Sequence, residues 1–270
     1  MSASGRVRPK VWFVGAGPGA ADLLTFRAAD AIASADVIVW AGSLVNPDVL
    51  RHARPGAEIH DSSGLTLEDV LALYERALAE ELVVARLHSG DPSVYGATHE
   101  QIAFCEARGL AFEVVPGVSS LGAAAAAAGL ELTVPQVAQS VVLTRLGGRT
   151  PMPEGEAVRS FAAHRTTMAV FLSAARPREL QRELEAGYPP GTPCVVVVRA
   201  TWPDEQVLRC PLGELERTIR SSGAHRSVLV IVGPALDASG TRSSLYDPAF
   251  GHEFRRPAAW VEAHGGGARR

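Results

Sequence analysis

Residues 83–96 read VVARLHSGDPSVYG, and this stretch decides the fold. The run Val83 to Leu87 favours a strand, and from Ser89 it breaks into a loop holding Gly90, Asp91, Pro92 and Gly96. Strands that open into such loops at their carboxyl ends are where α/β proteins bind ligands. The same grammar recurs on both sides. Short runs rich in β-branched residues lie at Val11 to Val14, Val37 to Trp40, Phe112 to Val115, Ser140 to Thr144, Thr167 to Leu172, Cys194 to Val198 and Val228 to Val232, and they alternate with helical patterns. Between the second strand and the Val83 strand, Leu67, Val70, Leu71, Tyr74, Ala77 and Leu78 share one face at period 3.6, with Thr66 placed to cap. A further helix opens at Pro177, carries Leu180 and Leu184 and stops at Gly187. The apolar strands are continuous rather than alternating, which predicts mostly parallel sheets covered on both faces. The succession restarts near Val134 and Pro135. The chain therefore divides into two α/β domains, 1–135 and 136–237, followed by a polar, extended and partly disordered tail over 238–270.

Composition narrows the function classes. The 270 residues are 47% hydrophobic and 20% charged, enough for a large core. A net charge of −3 with scattered basic residues lacks the footprint of a nucleic-acid binder. Cys105, Cys194 and Cys210 are odd in number and have no metal-ligand or CxxC spacing, so they read as reduced and mostly buried. No apolar stretch reaches the roughly 20 residues that span a bilayer, and the opening MSASGRVRPK has no signal-peptide core. The expected location is the cytoplasm, with no membrane partner.

Four loops carry candidate chemistry. Gly15-Ala16-Gly17-Pro18-Gly19-Ala20 matches G-x-G-x-x-A and invites a dinucleotide reading. Against it, the second strand ends Val39-Trp40-Ala41-Gly42 without the ribose carboxylate, and Pro18 removes a backbone donor. The loop is then a tight approach to another ligand, or simply a tight turn. Around Ser89 and Gly90 the backbone can approach a ligand closely, and Asp91 either offers it two acceptor oxygens or caps a helix. Ser119 and Ser120 precede a run of alanines and either cap that helix or meet a ligand carboxylate. Arg145 and Arg149 on a glycine-containing loop suit carboxylates, or belong to ordinary solvated surface. His88 and His99 read as structural, since no second ligand stands at metal spacing. No metal is implied.

VGAGPGAADLLT, RLHSGDPSVYGATHEQ, VVPGVSSLGAAAA and VVVVRATWPDEQ together resemble the tetrapyrrole methylases in order and spacing, over roughly residues 9–235. The resemblance implies two α/β domains with a ligand cleft between them, a homodimer, and S-adenosyl-L-methionine as methyl donor. Carried over position by position, the family's donor contacts fall on Pro18, Ser89, Gly90, Asp91, Val94, Ser119, Ser120, Leu172 and Ala200. Leu172 departs from the methionine common in relatives, which affects only an apolar side-chain contact. The glycine loop would border the macrocycle. AGSLVNPDVL (41–50), the 88–101 string and LTRLGGRTPMPE resemble the branch that methylates precorrin-4 at carbon 11, whereas uroporphyrinogen methylases carry a glycine where Ser89 stands. Arg145 and Arg149 are the candidates for the acceptor's carboxylates. The implied reaction is in-line methyl transfer without a covalent enzyme intermediate, and no residue is singled out as a general base. Other readings are a sibling enzyme acting on another corrin carbon or on the cobalt-containing substrate, the related diphthine synthases, an NAD-dependent oxidoreductase, and a binding module without turnover.

Overall fold

The computed structural model describes residues 10–148, 150–239 and 243–257. The first unit is built from β1 (Val11–Gly15), α1 (Phe26–Ser34), β2 (Val37–Trp40), β3 (Glu58–Asp61), α2 (Leu67–Ala79), β4 (Val84–His88), α3 (His99–Arg108), β5 (Phe112–Val115) and α4 (Ser120–Ala127). Its strands form one sheet in the order β3-β2-β4-β1-β5, with every pairing parallel. Side-chain alternation in these strands feeds two cores. Val14, Ile38, Ala85 and Leu87 pack with Ala28, Ala31 and Ile32 of α1, while Val11, Phe13, Val37, Val39 and Val84 pack with Val70 and Tyr74 of α2 and Cys105 of α3. The capping reading of Thr66 holds: its hydroxyl accepts from the Asp69 amide and the Asp69 carboxylate accepts from the Thr66 amide, a reciprocal cap.

The second unit comprises β6 (Val141–Arg145), α5 (Val158–Ala162), β7 (Thr167–Phe171), α6 (Pro177–Glu185), β8 (Pro193–Val198), β9 (Gln206–Pro211), α7 (Leu215–Ser221) and β10 (Val228–Val232). Its sheet runs β6-β7-β10-β8-β9. The architecture is α/β as expected, and among the described residues five of the eight strand pairings are parallel, four in the first sheet and one (β6 with β7) in the second. In the second sheet the expectation of mostly parallel strands is corrected, because β10 runs antiparallel to β7 and β8, and β8 antiparallel to β9. Continuous apolar strands report burial on both faces, not direction. That burial is real: α5, α6 and α7 cover one face through Val158, Ala162, Leu180, Leu184, Leu215 and Ile219. The other face, with Ala169, Val195, Val197, Leu229 and Ile231, receives Ala123, Ala124 and Ala128 from α4 and the residue after it. The alanine run is thus a helix face trimmed so that it can lie close on a sheet. In the segment expected as an extended tail, residues 243–257 hold a 3-10 turn (Ser244–Tyr246) and a His252–Arg255 bridge, with the Arg255 guanidinium donating to the carbonyls of Asp247 and Phe250.

What positions the site is the meeting of three loops at the carboxyl ends of β1, β4 and β5. A Cβ on Gly15 would lie 2.5 Å from the Gly117 Cα, and one on Gly117 would lie 2.2 Å from the Gly90 carbonyl oxygen. Gly17 and Gly90 exchange backbone hydrogen bonds of 3.2 and 2.7 Å. Replacing Gly117 with alanine pushes a methyl into backbone that cannot swing aside, an overpacking that costs about 1–3 kcal/mol. The expected result is a thermal midpoint lowered by about 2–4 °C per kcal/mol, and a Gly117→Ala protein melting like the wild type contradicts this account of the junction.

Candidate functional site

Between the two sheets lies a cleft of about 350 Å³, walled by loops from both units. All nine residues singled out as donor contacts line it: Pro18, Ser89, Gly90, Asp91, Val94, Ser119, Ser120, Leu172 and Ala200. Its exposed lining is mostly apolar, and its size falls within the roughly 300–1,000 Å³ of small-molecule sites. A groove of about 670 Å³ runs along α6 and α7 and shares only Ala175 with the cleft. Its walls are charged groups largely occupied with one another, Arg176 with Glu179 and Arg220 with Glu216, each pair at 2.9 Å. The cleft, not the groove, collects the loops at the strand ends.

The residues differ in what they can offer. Gly90 adopts φ +68°, where its missing side chain leaves the backbone open to the cleft. Asp91 is not a free acceptor: Oδ2 accepts from the Gly117 amide at 2.8 Å, and Oδ1 accepts from the Ser93 amide at 2.9 Å and from the Ser93 hydroxyl. Partial burial works against ionisation of this carboxyl, but the hydrogen bonds from Ser93 and Gly117 outweigh it and hold the pKa below the ordinary value. Asp91 therefore ties the loop after β4 to the loop after β5. Ser119 is the N-cap of α4, its hydroxyl accepting from the Leu121 amide at 3.3 Å, while Ser120 starts the helix. Leu172 follows β7 at φ +51° with 69% of its surface exposed, an apolar side chain held in a costly conformation toward the cleft.

Arg145 ends β6 in register with Phe171, which lines the cleft; Arg145 itself is not a lining residue. Its guanidinium donates to the carbonyls of Thr150 (3.3 Å) and Pro151 (2.9 Å), tying that backbone to the end of its own strand. Arg149 lies outside the described residues. His88 is buried and neutral, its pKa pushed down to about 3 by burial and then by Arg86. Among the described residues its Nε2 has no hydrogen-bond partner, and they contain no cluster of three or more metal-ligating side chains.

Sequence reasoning missed several walls of the cleft, among them Leu44, Tyr95, Phe171, Arg199, Trp202, His225 and Arg226. Tyr95 and Phe171 face each other across the two units with ring centroids 5.5 Å apart. Leu44, Tyr95, Arg199 and Trp202 sit inside quoted motifs and Phe171 directly precedes Leu172, so a signal existed for these five. His225 and Arg226 come from a loop with no distinguishing pattern. Of the nine non-glycine residues with positive φ among the described residues, four line the cleft directly: Tyr95, Leu172, Arg199 and Ser227. Such strain gathers at functional sites, where surrounding packing holds it.

Comparison with known proteins agrees with this geometry. The model of the Tetrapyrrole (Corrin/Porphyrin) Methylases matches residues 10–216. A precorrin-4 C(11)-methyltransferase of a Sinorhizobium species is 47% identical over 247 residues, covering 91% of this chain and 98% of that protein. The crystal structure of a cobalt precorrin-4 methyltransferase superposes with a TM-score of 0.82 at 41% identity, covering 84% of this chain and 96% of its own. A uroporphyrin-III C-methyl transferase from Thermus thermophilus, complexed with S-adenyl homocysteine, gives a TM-score of 0.70 at 32% identity, with 84% and 98% covered. With the family match running from β1 through β9 and over the loops that carry all nine candidate donor contacts, the chain belongs to the tetrapyrrole methylases.

Proposed function

We propose that this methyltransferase uses S-adenosyl-L-methionine to methylate precorrin-4 at carbon 11 in cobalamin biosynthesis, releasing precorrin-5 and S-adenosyl-L-homocysteine. The observation that carries the reading is the convergence of nine separately placed residues, from Pro18 to Ala200, on one apolar cleft between two α/β units. When bound, the donor supplies an electrophilic methyl group on a sulfonium, and the electron-rich ring carbon of the acceptor receives it. The chain's own part is to hold and to exclude water. Gly90 leaves backbone space, Val94 and Leu172 offer apolar contact, and the Ser119–Ser120 start of α4 turns helix amides toward the cleft. Orientation of this kind accounts for at most about 7–11 kcal/mol of barrier lowering. Arg145 and Arg149 are proposed for the acceptor's carboxylates; Arg145 is supported by its register with Phe171, which lines the cleft. The domain division near residue 135 and a homodimer belong to the same proposal, the dimer resting on family resemblance. No helix among the described residues is long and apolar enough to cross a membrane, which accords with a cytoplasmic enzyme.

The decisive assay uses donor carrying an isotopically labelled methyl group. With precorrin-4 the label is expected at carbon 11 by NMR; label at another ring carbon, or none, overturns the assignment. Cobalt-precorrin-4 is assayed in parallel, because the structure at TM-score 0.82 is that of a cobalt precorrin-4 methyltransferase.

Two variants probe the walls. Gly90→Leu forces a bulky residue into φ +68° and fills the cleft, so calorimetry should show S-adenosylhomocysteine binding weakened by at least about tenfold. Asp91→Ala should weaken it less, since Asp91 acts through Gly117 and Ser93. A folded Gly90→Leu protein with unchanged affinity would falsify the donor's placement.

On the acceptor side, Arg145→Ala removes a charge-assisted contact worth roughly 1.5–3 kcal/mol, an expected tenfold to hundredfold rise in the acceptor Michaelis constant. Arg145→Lys should fall between, since it keeps charge but loses the fork. Wild-type constants in Arg145→Ala place the acceptor elsewhere.

A further inference from the structure

The turn between β8 and β9 reaches out of the second unit and grips the glycine loop of the first. The Trp202 indole Nε1 donates to the Pro18 carbonyl at 3.1 Å, and the Ala20 amide donates to the Thr201 hydroxyl at 2.9 Å. Between these two bonds sits Gly19, whose absent side chain is required by the partner: a Cβ there would lie 2.3 Å from the Trp202 ring. The gripping turn is itself braced. Arg199 stacks on the indole with its guanidinium carbon 4.0 Å from the ring centroid and is held by Asp204 at 2.7 Å, while the Thr201 amide donates to the Glu205 carboxylate at 2.6 Å. Arg199 and Thr201 both have left-handed backbone, φ 49° and 68°, and a β-branched threonine there is a genuine outlier that surrounding contacts must hold.

Pro18 and Ala200 both line the cleft, one from each unit, and the clasp joins the segments that carry them. Interfaces between domains of one chain permit relative motion unless something fixes them, and in-line transfer loses rate steeply when groups are misplaced by about 1 Å. We propose that Trp202 and Thr201 are positioning residues for the transfer reaction, clasping the Pro18–Ala20 loop so that the cleft keeps the width at which donor and acceptor meet. The inference rests on the donor reading above but names residues outside the nine donor positions.

The test compares Trp202→Phe, which keeps a ring under Arg199 but loses the N–H, Thr201→Val, which keeps shape but loses the acceptor oxygen, and Gly19→Ala, which wedges the clasp open. Each loss of one hydrogen bond should raise the dissociation constant of S-adenosylhomocysteine roughly three- to tenfold and lower kcat at saturating donor. Gly19→Ala should do both more strongly. Hydrogen exchange over residues 16–24 should quicken in all three variants, with exchange in the α6 and α7 peptides unaltered. A purely structural role would lower the thermal midpoint while leaving donor affinity and kcat unmoved. That outcome, or wild-type exchange over 16–24 in Trp202→Phe and Thr201→Val, overturns the proposal. Failure of the wild-type chain itself to bind S-adenosylhomocysteine overturns the donor reading instead, and removes the positioning role whatever the exchange shows.

Discussion

Where β1, β4 and β5 end, three loops approach so closely that the backbone of each is the packing surface of the others. Gly15 and Gly117 occupy the points of closest contact, and the separations of 2.2–2.5 Å that a Cβ there would meet, one of them against the Gly90 carbonyl, leave no room for any side chain. Asp91 closes the arrangement by accepting from the Gly117 amide, so the loop after β4 cannot shift without the loop after β5. Four residues that face the cleft from the first unit hang on this junction: Ser89 and Gly90 by belonging to it, Ser119 and Ser120 by following it into α4. A small ligand held there meets a rigid wall because backbone, not rotatable side chains, forms it.

The opposite wall is of another kind. Leu172, Arg199 and Ser227 come from separate loops of the second sheet, each with left-handed backbone. Their conformations, unfavourable in isolation, are imposed by the strands that flank them: β7 ends immediately before Leu172, β8 immediately before Arg199, and β10 starts immediately after Ser227. A shared core fixes those strands, and so aims the loops. Stability in the sheet thus maintains strain at its edge.

How much of this the sequence discloses depends on whether burial or pairing determines an element. Strands buried on both faces, such as β8 and β10, are visible as apolar runs, and α2 is visible from its stripe and from Thr66. The edge strands β3 and β9 are not. Glu58-Ile59-His60-Asp61 is mostly exposed and is a strand only because β2 offers it a backbone ladder, and Gln206–Pro211 likewise depends on β8. Strand direction in the second sheet is hidden for a related reason, since an apolar run looks the same whichever way it points. At the site, the nine donor positions came from motif resemblance and do share one cleft, but Asp91's role shows the limit of motif reasoning. A carboxylate beside a glycine reads as a ligand acceptor until the distances show both oxygens already committed. Trp202 and Tyr95 were within view, yet their importance arises from contacts across 184 and 76 positions of chain.

The alanine face of α4 has a consequence for how the chain acquires its shape. That helix precedes every strand of the sheet it covers, and its closest strand, β10, begins only at Val228. During synthesis, α4 therefore emerges with the first sheet but waits roughly a hundred residues for its own core, a long-range closure of the kind that slows folding. Small residues suit that wait, because a face of alanines exposes little greasy surface for wrong partners while it is uncovered. The two halves are consequently not independent modules: a fragment cut after residue 135 would carry away the cover of Val195, Val197, Leu229 and Ile231, leaving the remaining sheet with one bare apolar face.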